Sequence, residues 1–203
     1  MQTFPFSDLS KVDLIVDATY QSGRSGNAGD DPFPRLLGLS NMGGFRYRGT
    51  LGRLDVVALI SSMGDPDWPD FLDRETGVFT YYGDNKMPGG DLHATSRQGN
   101  KLLREIFALM HAGHRCEVPP IFVFTKGPAG RDVIFRGLAV PGAPGVSQTE
   151  DLVAVWKTKE GHRFQNYRAI FTILNESRVT RSWLQRIQRQ QDLAVEAPRA
   201  WAE

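Results

Sequence analysis

The chain has 203 residues, with 24 Lys and Arg against 23 Asp and Glu, and its formal net charge at pH 7 is +1. This length is enough for one domain with a sizeable core and too short for two full ones. The near-neutral balance excludes a uniformly basic nucleic-acid binder, but it is compatible with a basic face beside an acidic pocket.

The single cysteine, Cys116, excludes an internal disulfide and a cysteine-rich zinc site. With His111 and His114 it forms a His-x-x-His-x-Cys pattern, but no second ligand cluster follows at a suitable spacing, so we interpret this segment as a helix end. No apolar run approaches the ~20 residues of a membrane span, and residues 1–8 lack a signal pattern. We therefore expect a soluble, cytoplasmic protein.

The first half of the chain predicts four strands and one clear helix. The predicted strands are residues 12–20, 45–50, 55–61 and 78–82, with a glycine-rich loop at 21–29 after the first. Apolar residues recur with helical period over 100–112, which places Leu102, Ile106 and Met110 on one face.

The second half predicts four more strands, separated by Gly/Pro turns, at 120–126, 131–140, 152–157 and 167–174. Many short strands joined by turn-rich loops, with one or two flanking helices, are typical of a strongly bent β-sheet that closes toward a barrel. The predicted fold class is therefore α+β.

The last part of the chain, after the predicted strands, is more polar and helical. Residues 183–191 predict a polar helix with few core positions, and a loose tail follows at 197–201. We interpret residues 1–176 as one domain and residues 177–203 as a helical linker and tail.

Acidic and aromatic residues are concentrated in two segments of the first half. Residues 64–70 read Gly-Asp-Pro-Asp-Trp-Pro-Asp, and residues 76–85 read Thr-Gly-Val-Phe-Thr-Tyr-Tyr-Gly-Asp-Asn. Such residues also form ordinary turns and strands. A pocket for an extruded nucleobase, however, needs ring faces to stack on the base and carboxylates to read its edge. The two segments together indicate such a pocket.

The order of the segments resembles that of the SRA domain, which flips 5-methylcytosine out of a DNA duplex. An Asn-Met-Gly-Gly-Phe segment at 41–45 precedes a strand, and the acidic loop, the Tyr-Tyr-Gly-Asp segment, a glycine-rich loop at 89–91 and a helix start containing Asn100 follow in turn. Over residues 30–175 the chain is most similar to the N-terminal recognition domain of AspBHI-like modification-dependent restriction endonucleases. Tyr82 departs from the eukaryotic SRA pattern, which has Thr there.

The resemblance implies an SRA-like barrel of the PUA superfamily, with a C-terminal nuclease domain beyond a helical linker. The chain ends where that domain would begin, and it contains no Asp…Glu-x-Lys or HNH-type metal arrangement. We therefore expect a non-catalytic recognition module of a restriction endonuclease, with no metal or other cofactor of its own. The expected partners are double-stranded DNA with 5-methylcytosine or 5-hydroxymethylcytosine, the nuclease domain, and a second copy in a homo-oligomer.

The predicted base-pocket residues are Trp68, Asp70, Asp67, Tyr81, Tyr82 and Asp84. Tyr81 and Trp68 are expected to stack on the two faces of the extruded ring. A carboxylate is expected to accept a hydrogen bond from the exocyclic amine of cytosine. Asp70 is the first choice and Asp67 the second, with turn capping as the alternative role of both. Asp84 is more typical of a turn residue.

The predicted DNA-binding residues are Gln21, Arg24, Asn27, Asn41, Arg46, Arg48, Lys86 and Arg97. The basic residues among them flank the pocket and are expected to contact phosphates. The loop at 21–29 is predicted to probe a groove, because its glycines allow a close approach and its polar side chains can hydrogen-bond base edges. The alternative for this loop is a disordered hairpin tip.

Two other functions remain open from the residues alone. The chain could be a hydrolase acting on a modified nucleotide, with Asp67 or Asp70 as general base and His93 as its partner. It could also be a protein-interaction barrel with a peptide groove formed by Tyr81, Tyr82 and Trp68.

Overall fold

The computed structural model describes residues 2–40 and 43–202. Its strands are β1 (Thr3–Phe4), β2 (Leu14–Ile15), β3 (Thr19–Tyr20), β4 (Phe45–Thr50), β5 (Arg53–Ser61), β6 (Phe71–Leu72), β7 (Val78–Tyr82), β8 (Ile121–Lys126), β9 (Val133–Pro141), β10 (Leu152–Lys159), β11 (His162–Ile173) and β12 (Arg178–Val179). Its α-helices are α1 (Phe33–Leu36), α2 (Gly99–His111), α3 (Arg181–Gln188) and α4 (Arg199–Ala202). Among these helices, none is long and apolar enough to cross a membrane.

One large mixed sheet forms the framework of the fold. Its main path runs β4-β5-β8-β9-β11-β7-β6, while β10 also pairs with β11, β3 pairs with β9, and β1 pairs with β3. Register shifts in the β4–β5 and β8–β9 ladders mark bulges, which bend strands and increase their twist. The predicted α+β class with a bent sheet is confirmed. The pairings of the described residues do not close a barrel, because β4 and β6 end the path.

Each face of the sheet has its own apolar core, since successive residues of a strand point to opposite sides. On β8, Phe122 and Phe124 pack into the core covered by α1 and α3, whereas Ile121 and Val123 pack into the core covered by α2. The apolar face predicted for the helix at 100–112 is the face that α2 buries. Because helices cover both faces of the sheet, a ligand can reach mainly the ends of its strands and the connecting loops.

Helix α3 packs more deeply than its sequence indicates. Trp183, Leu184 and Ile187 are buried, and the Trp183 indole N–H donates to the Leu193 carbonyl at 2.9 Å. The sequence predicted few core positions here, and these three apolar residues are enough to cover the inner side of a helix of eight residues and to attach it to the domain. The role of residues 177–203 as a linker toward a nuclease domain stays a prediction.

Two strand predictions needed correction. Residues 12–20 do not form one strand: a turn in which Asp17 has φ +64° separates β2 from β3. Strand β11 begins at His162, well before the predicted start at 167, and pairs with β10 over residues 162–169. The β10–β11 hairpin therefore extends farther from the sheet than the sequence indicated.

Candidate base pocket and nucleic-acid interface

The acidic loop, residues 64–70, is held by three lysines from other segments. Asp67 accepts hydrogen bonds from Lys157 and Lys159, each at 2.7 Å, and Lys157 also donates to the Asp67 carbonyl. Asp65 accepts a hydrogen bond from Lys86 at 2.6 Å. The hydrogen bonds from the two hairpin lysines lower the pKa of Asp67 to about 2. We call the pairing of Asp67 with Lys157 and Lys159 the lysine clasp.

Trp68 lies beneath this clasp and is only 5% exposed. Its ring centroid is 5.5 Å from that of Tyr82 and 5.9 Å from that of Phe164, and the Lys157 ammonium lies 5.0 Å from the indole. Trp68 therefore contacts Tyr82 in a tilted arrangement, with 46° between the ring planes, and meets Phe164 edge-on.

Asp70 occupies the end of the acidic loop and is anchored on both oxygens. Its Oδ2 accepts a hydrogen bond from the Ser61 hydroxyl at 2.6 Å, and its Oδ1 accepts one from the Tyr82 backbone N–H at 2.8 Å. Burial raises the pKa of Asp70. A carboxylate offers about four lone-pair sites, so this anchored group can still accept hydrogen bonds from a ligand.

Asp70 also lines an open depression of about 240 Å³. The other lining residues are Met63, Phe71, Leu72, Arg74, Thr125 and Arg136. Phe71 is 62% exposed, which is unusual for a ring of that size. Phe71 and Arg74 are not among the predicted site residues, although Phe71 directly follows Asp70 in the chain.

Tyr81 is buried in the α2-side core between Phe45 and Phe79. Its hydroxyl lies 3.4 Å from the Gly44 carbonyl oxygen. Burial raises the pKa of this hydroxyl well above its ordinary value, and the charge of Asp70 raises it further. Neighbouring residues of a strand point to opposite faces, so Tyr81 and Tyr82 diverge and Trp68 contacts only the latter. The structure thus brings Asp70 near both tyrosines but does not place Tyr81 opposite Trp68.

The Gly83-Asp84-Asn85 segment follows β7 and lies against the start of α2, to which it is hydrogen-bonded. The Asp84 carboxylate accepts hydrogen bonds from the Gly99 and Asn100 backbone N–H groups, both at 2.9 Å. At Gly83, an added Cβ would lie 1.7 Å from the Asn100 Oδ1. Asp84 therefore caps the start of α2 from a distant part of the chain, a role that differs from the local turn role predicted from its sequence context.

Residues 84–86 read Asp-Asn-Lys, an Asp-x-Lys pattern of the kind found in metal-dependent nucleases, which was not among the predicted features. Asp84 is engaged at α2 and Lys86 at Asp65, so the pattern is taken up by structural contacts. Elsewhere His111 pairs with the Asp151 carboxylate at 2.9 Å, and Cys116 is exposed. Within residues 2–40 and 43–202, no group of three or more His, Cys, Asp and Glu could hold a metal ion.

The loop at 21–29 is ordered by two buried carboxylates. Asp30 accepts hydrogen bonds from the backbone N–H groups of residues 25, 26 and 27, and these bonds lower its pKa. Arg24 pairs with Asp132 at 2.8 Å while half of its side chain stays exposed. Asn27 accepts a hydrogen bond from Gly29. The disordered-tip alternative does not describe this loop, which holds Arg24 and Asn27 beside an open depression of about 290 Å³.

The other predicted DNA-binding residues differ in their exposure. Arg46 is buried, pairs with Asp31 at 2.6 Å and stacks on Phe33, and Arg48 binds Asp55 and the Ile187 carbonyl. Both arginines are engaged in contacts within the fold, Arg46 with almost its whole side chain buried and Arg48 with a quarter of it exposed.

Lys86 and Arg97 are exposed, and Gln21 is partly buried beside the ordered loop. In the described part of the chain, Arg97 forms no ion pair. Asn41 lies outside the described residues.

Comparisons with solved structures define the class of protein. The chain is 52% identical to the DNA modification-dependent restriction endonuclease AspBHI, over 98% of this chain and 93% of that one, with a TM-score of 0.94. It is 49% identical to the DNA recognition domain of the cytosine modification-dependent restriction endonuclease LpnPI, over 95% of this chain and 88% of that one, with a TM-score of 0.88.

A more distant structure, MspJI restriction endonuclease in complex with a 27-mer oligonucleotide, shares the fold. It is 20% identical over 94% of this chain and 51% of that one, with a TM-score of 0.65. The family model for the N-terminal part of restriction endonuclease AspBHI matches residues 14–203, and the chain belongs to this family. Among curated proteins, nothing matches this chain.

Proposed function

We propose that this chain binds double-stranded DNA containing 5-methylcytosine or 5-hydroxymethylcytosine and extrudes the modified base. It would serve as the specificity module of a modification-dependent restriction endonuclease, beside a C-terminal nuclease domain. The similarity to AspBHI, a DNA modification-dependent restriction endonuclease, and to the LpnPI DNA recognition domain supports this activity, and Asp70 is the observation in this chain that carries it. It is a partly buried carboxylate, fixed by Ser61 and Tyr82, at the edge of an open depression.

Asp70 suits the exocyclic amine of cytosine better than Asp67 does. Both oxygens of Asp67 already bind lysine ammonium groups, and its side chain points to the hairpin rather than to the depression. Asp70 is held by one hydroxyl and one backbone N–H, which fixes its orientation and leaves acceptor sites open. We therefore assign base reading to Asp70 and loop positioning to Asp67.

Base extrusion costs a few kcal/mol of lost stacking and pairing, so the pocket must supply new stacking. One aromatic contact is worth ~1–3 kcal/mol per base. Phe71 already presents an open ring beside Asp70. Trp68 can contribute only by exchanging its contact with Tyr82 for one with the base. Burial of the 5-methyl group adds about 1 kcal/mol of binding free energy, which is enough for a modest preference for the modified base over cytosine.

The DNA backbone would contact exposed groups around this pocket. Arg24, Asn27, Lys86 and Arg97 expose polar groups that can reach phosphates or base edges, and Arg24 and Lys86 would do so while paired with Asp132 and Asp65. Each phosphate neutralised by a lysine or arginine releases counterions, so affinity should fall steeply as salt rises.

Equilibrium binding to matched duplexes with cytosine, 5-methylcytosine or 5-hydroxymethylcytosine tests the proposal. We expect wild type to prefer a modified duplex and Asp70→Asn to lose roughly tenfold in affinity for it, as expected for loss of an acceptor from a base contact. Asp73→Asn is the matched control, since Asp73 only accepts hydrogen bonds from its own turn. Equal binding of wild type to all three duplexes would contradict the proposal.

A further inference from the structure

The β10–β11 hairpin has two different faces. Cross-strand partners share a face, and the register pairs Lys157 with Phe164 on the side of the acidic loop. The same register pairs Trp156 with Gln165 and places Arg163 and Tyr167 on the opposite side. This second side is separate from the depression beside Asp70.

Trp156 and Arg163 form an exposed stack on the second side. Trp156 is 56% exposed, and the Arg163 guanidinium carbon lies 4.3 Å from its ring centroid. The arginine orients the indole and leaves part of the ring open to solvent. An exposed aromatic ring beside a cation is the usual platform for an unpaired nucleobase.

Positive charge continues from this stack toward α2. The Tyr167 hydroxyl lies 3.1 Å from His93 Nε2. Burial lowers the pKa of His93, and the nearby charges of Arg104 and Lys101 on α2 lower it further. One acid, Asp91, lies next to His93 and accepts its backbone N–H.

The cations of this surface are not neutralised within the protein. Among the residues that the structure describes, Lys101, Arg104 and Arg163 form no ion pair with a carboxylate. By contrast, the lysines on the other side of the hairpin are both occupied by Asp67. Arg163 stacks on the open indole, and Lys101 and Arg104 lie near His93, so the surface combines an exposed ring with cations and is complementary to an anionic chain that carries flat rings.

We propose that this surface, which we call the Trp156 face, binds single-stranded nucleic acid. It comprises Trp156, Arg163, Tyr167, His93, Lys101 and Arg104. Arg163, Arg104 and Lys101 would contact successive phosphates, and an unpaired base would stack on Trp156. The site is independent of the extruded-base pocket and does not rest on the function proposed above.

The test is titration with an oligothymidylate, followed by anisotropy of the labelled strand and by quenching of tryptophan fluorescence. We expect Trp156→Ala to weaken binding roughly tenfold, because one base stack is lost. Arg163→Ala and Arg104→Ala should each reduce the slope of log affinity against log salt by about 0.7. Lys11→Ala, which removes an exposed lysine elsewhere, is the control and should change neither value.

Asp70→Asn distinguishes this site from the base pocket and should leave oligothymidylate binding unchanged. The proposal is overturned if wild type does not bind the strand, in which case a protein partner becomes the occupant to seek. It is also overturned if Trp156→Ala binds as wild type does, or if Asp70→Asn abolishes binding. Thermal unfolding of each variant confirms that the fold is retained.

Discussion

Substitution of Gly83 by alanine tests how β7 is joined to α2. The φ angle of Gly83 is not positive, so alanine is acceptable to its backbone. The obstacle is space: the new Cβ would lie 1.7 Å from Asn100 Oδ1 and 2.7 Å from Asn166 Oδ1. Because Asn100 is fully buried, its side chain must leave its hydrogen-bonded position to make room.

The magnitude follows from the contacts that Asn100 would lose. Its Nδ2 donates to the Leu92 carbonyl at 2.8 Å and to Asn166 Oδ1 at 3.0 Å, and its Oδ1 accepts the Asp84 N–H at 3.2 Å. At about 1 kcal/mol net for each hydrogen bond, the three sum to roughly 3 kcal/mol. For a domain of this size, that loss lowers the Tm by roughly 6–12 °C.

Thermal and urea unfolding measure this change directly. Gly64→Ala is the matched control, because its Cβ would meet only the Ser62 carbonyl oxygen at 3.7 Å, and we expect a change within about 0.5 kcal/mol. In an Asn100→Ala background, Gly83→Ala should cost clearly less than it does alone, since the main clash is gone. A Gly83→Ala protein as stable as wild type would refute this account of the segment.

Two further predictions concern charged groups. Asp67→Asn should lower the stability of the fold at neutral pH. The lysines depress the pKa of Asp67 from 3.8 to about 2, so the stability that the carboxylate contributes is present above pH ~3.9 and is lost as the pH falls through about 2. Urea unfolding across that range should show the difference between variant and wild type vanish at the acidic end, and a difference independent of pH would argue against the lysine clasp. Arg46→Ala should destabilise the fold by about 3–5 kcal/mol, because it leaves Asp31 buried without its partner; a variant that keeps its Tm but loses DNA affinity would instead show that Arg46 contacts phosphates.

Local patterns in the sequence were sufficient for the central elements. The helical period over 100–112 identified α2, and the alternation over 78–82 identified β7 with its observed bounds. Both patterns depend on which residues face the core, and this information is contained in short windows. The acidic and aromatic motif likewise predicted Asp70 as a pocket residue from the residue types alone.

The remaining features depend on contacts between distant segments. The lysine clasp joins Asp67 to Lys157 and Lys159, and nothing near Asp67 in the sequence indicates that partner. The burial of Trp183 depends on a core built by other strands. The separation of Tyr81 from Trp68 follows from the path of the acidic loop over β7, which the residue types alone do not determine.

The proposed function requires this chain to extrude a modified cytosine and to hold it against Asp70. Fluorescence of 2-aminopurine placed next to that cytosine tests this most directly, because the probe brightens when its neighbour leaves the stack. We predict a rise when wild type binds the modified duplex, and little change with the unmodified duplex or with Asp70→Asn. Tight binding that favours the modified duplex without any rise in fluorescence would contradict the claim, because it would mean that the base is read inside the helix.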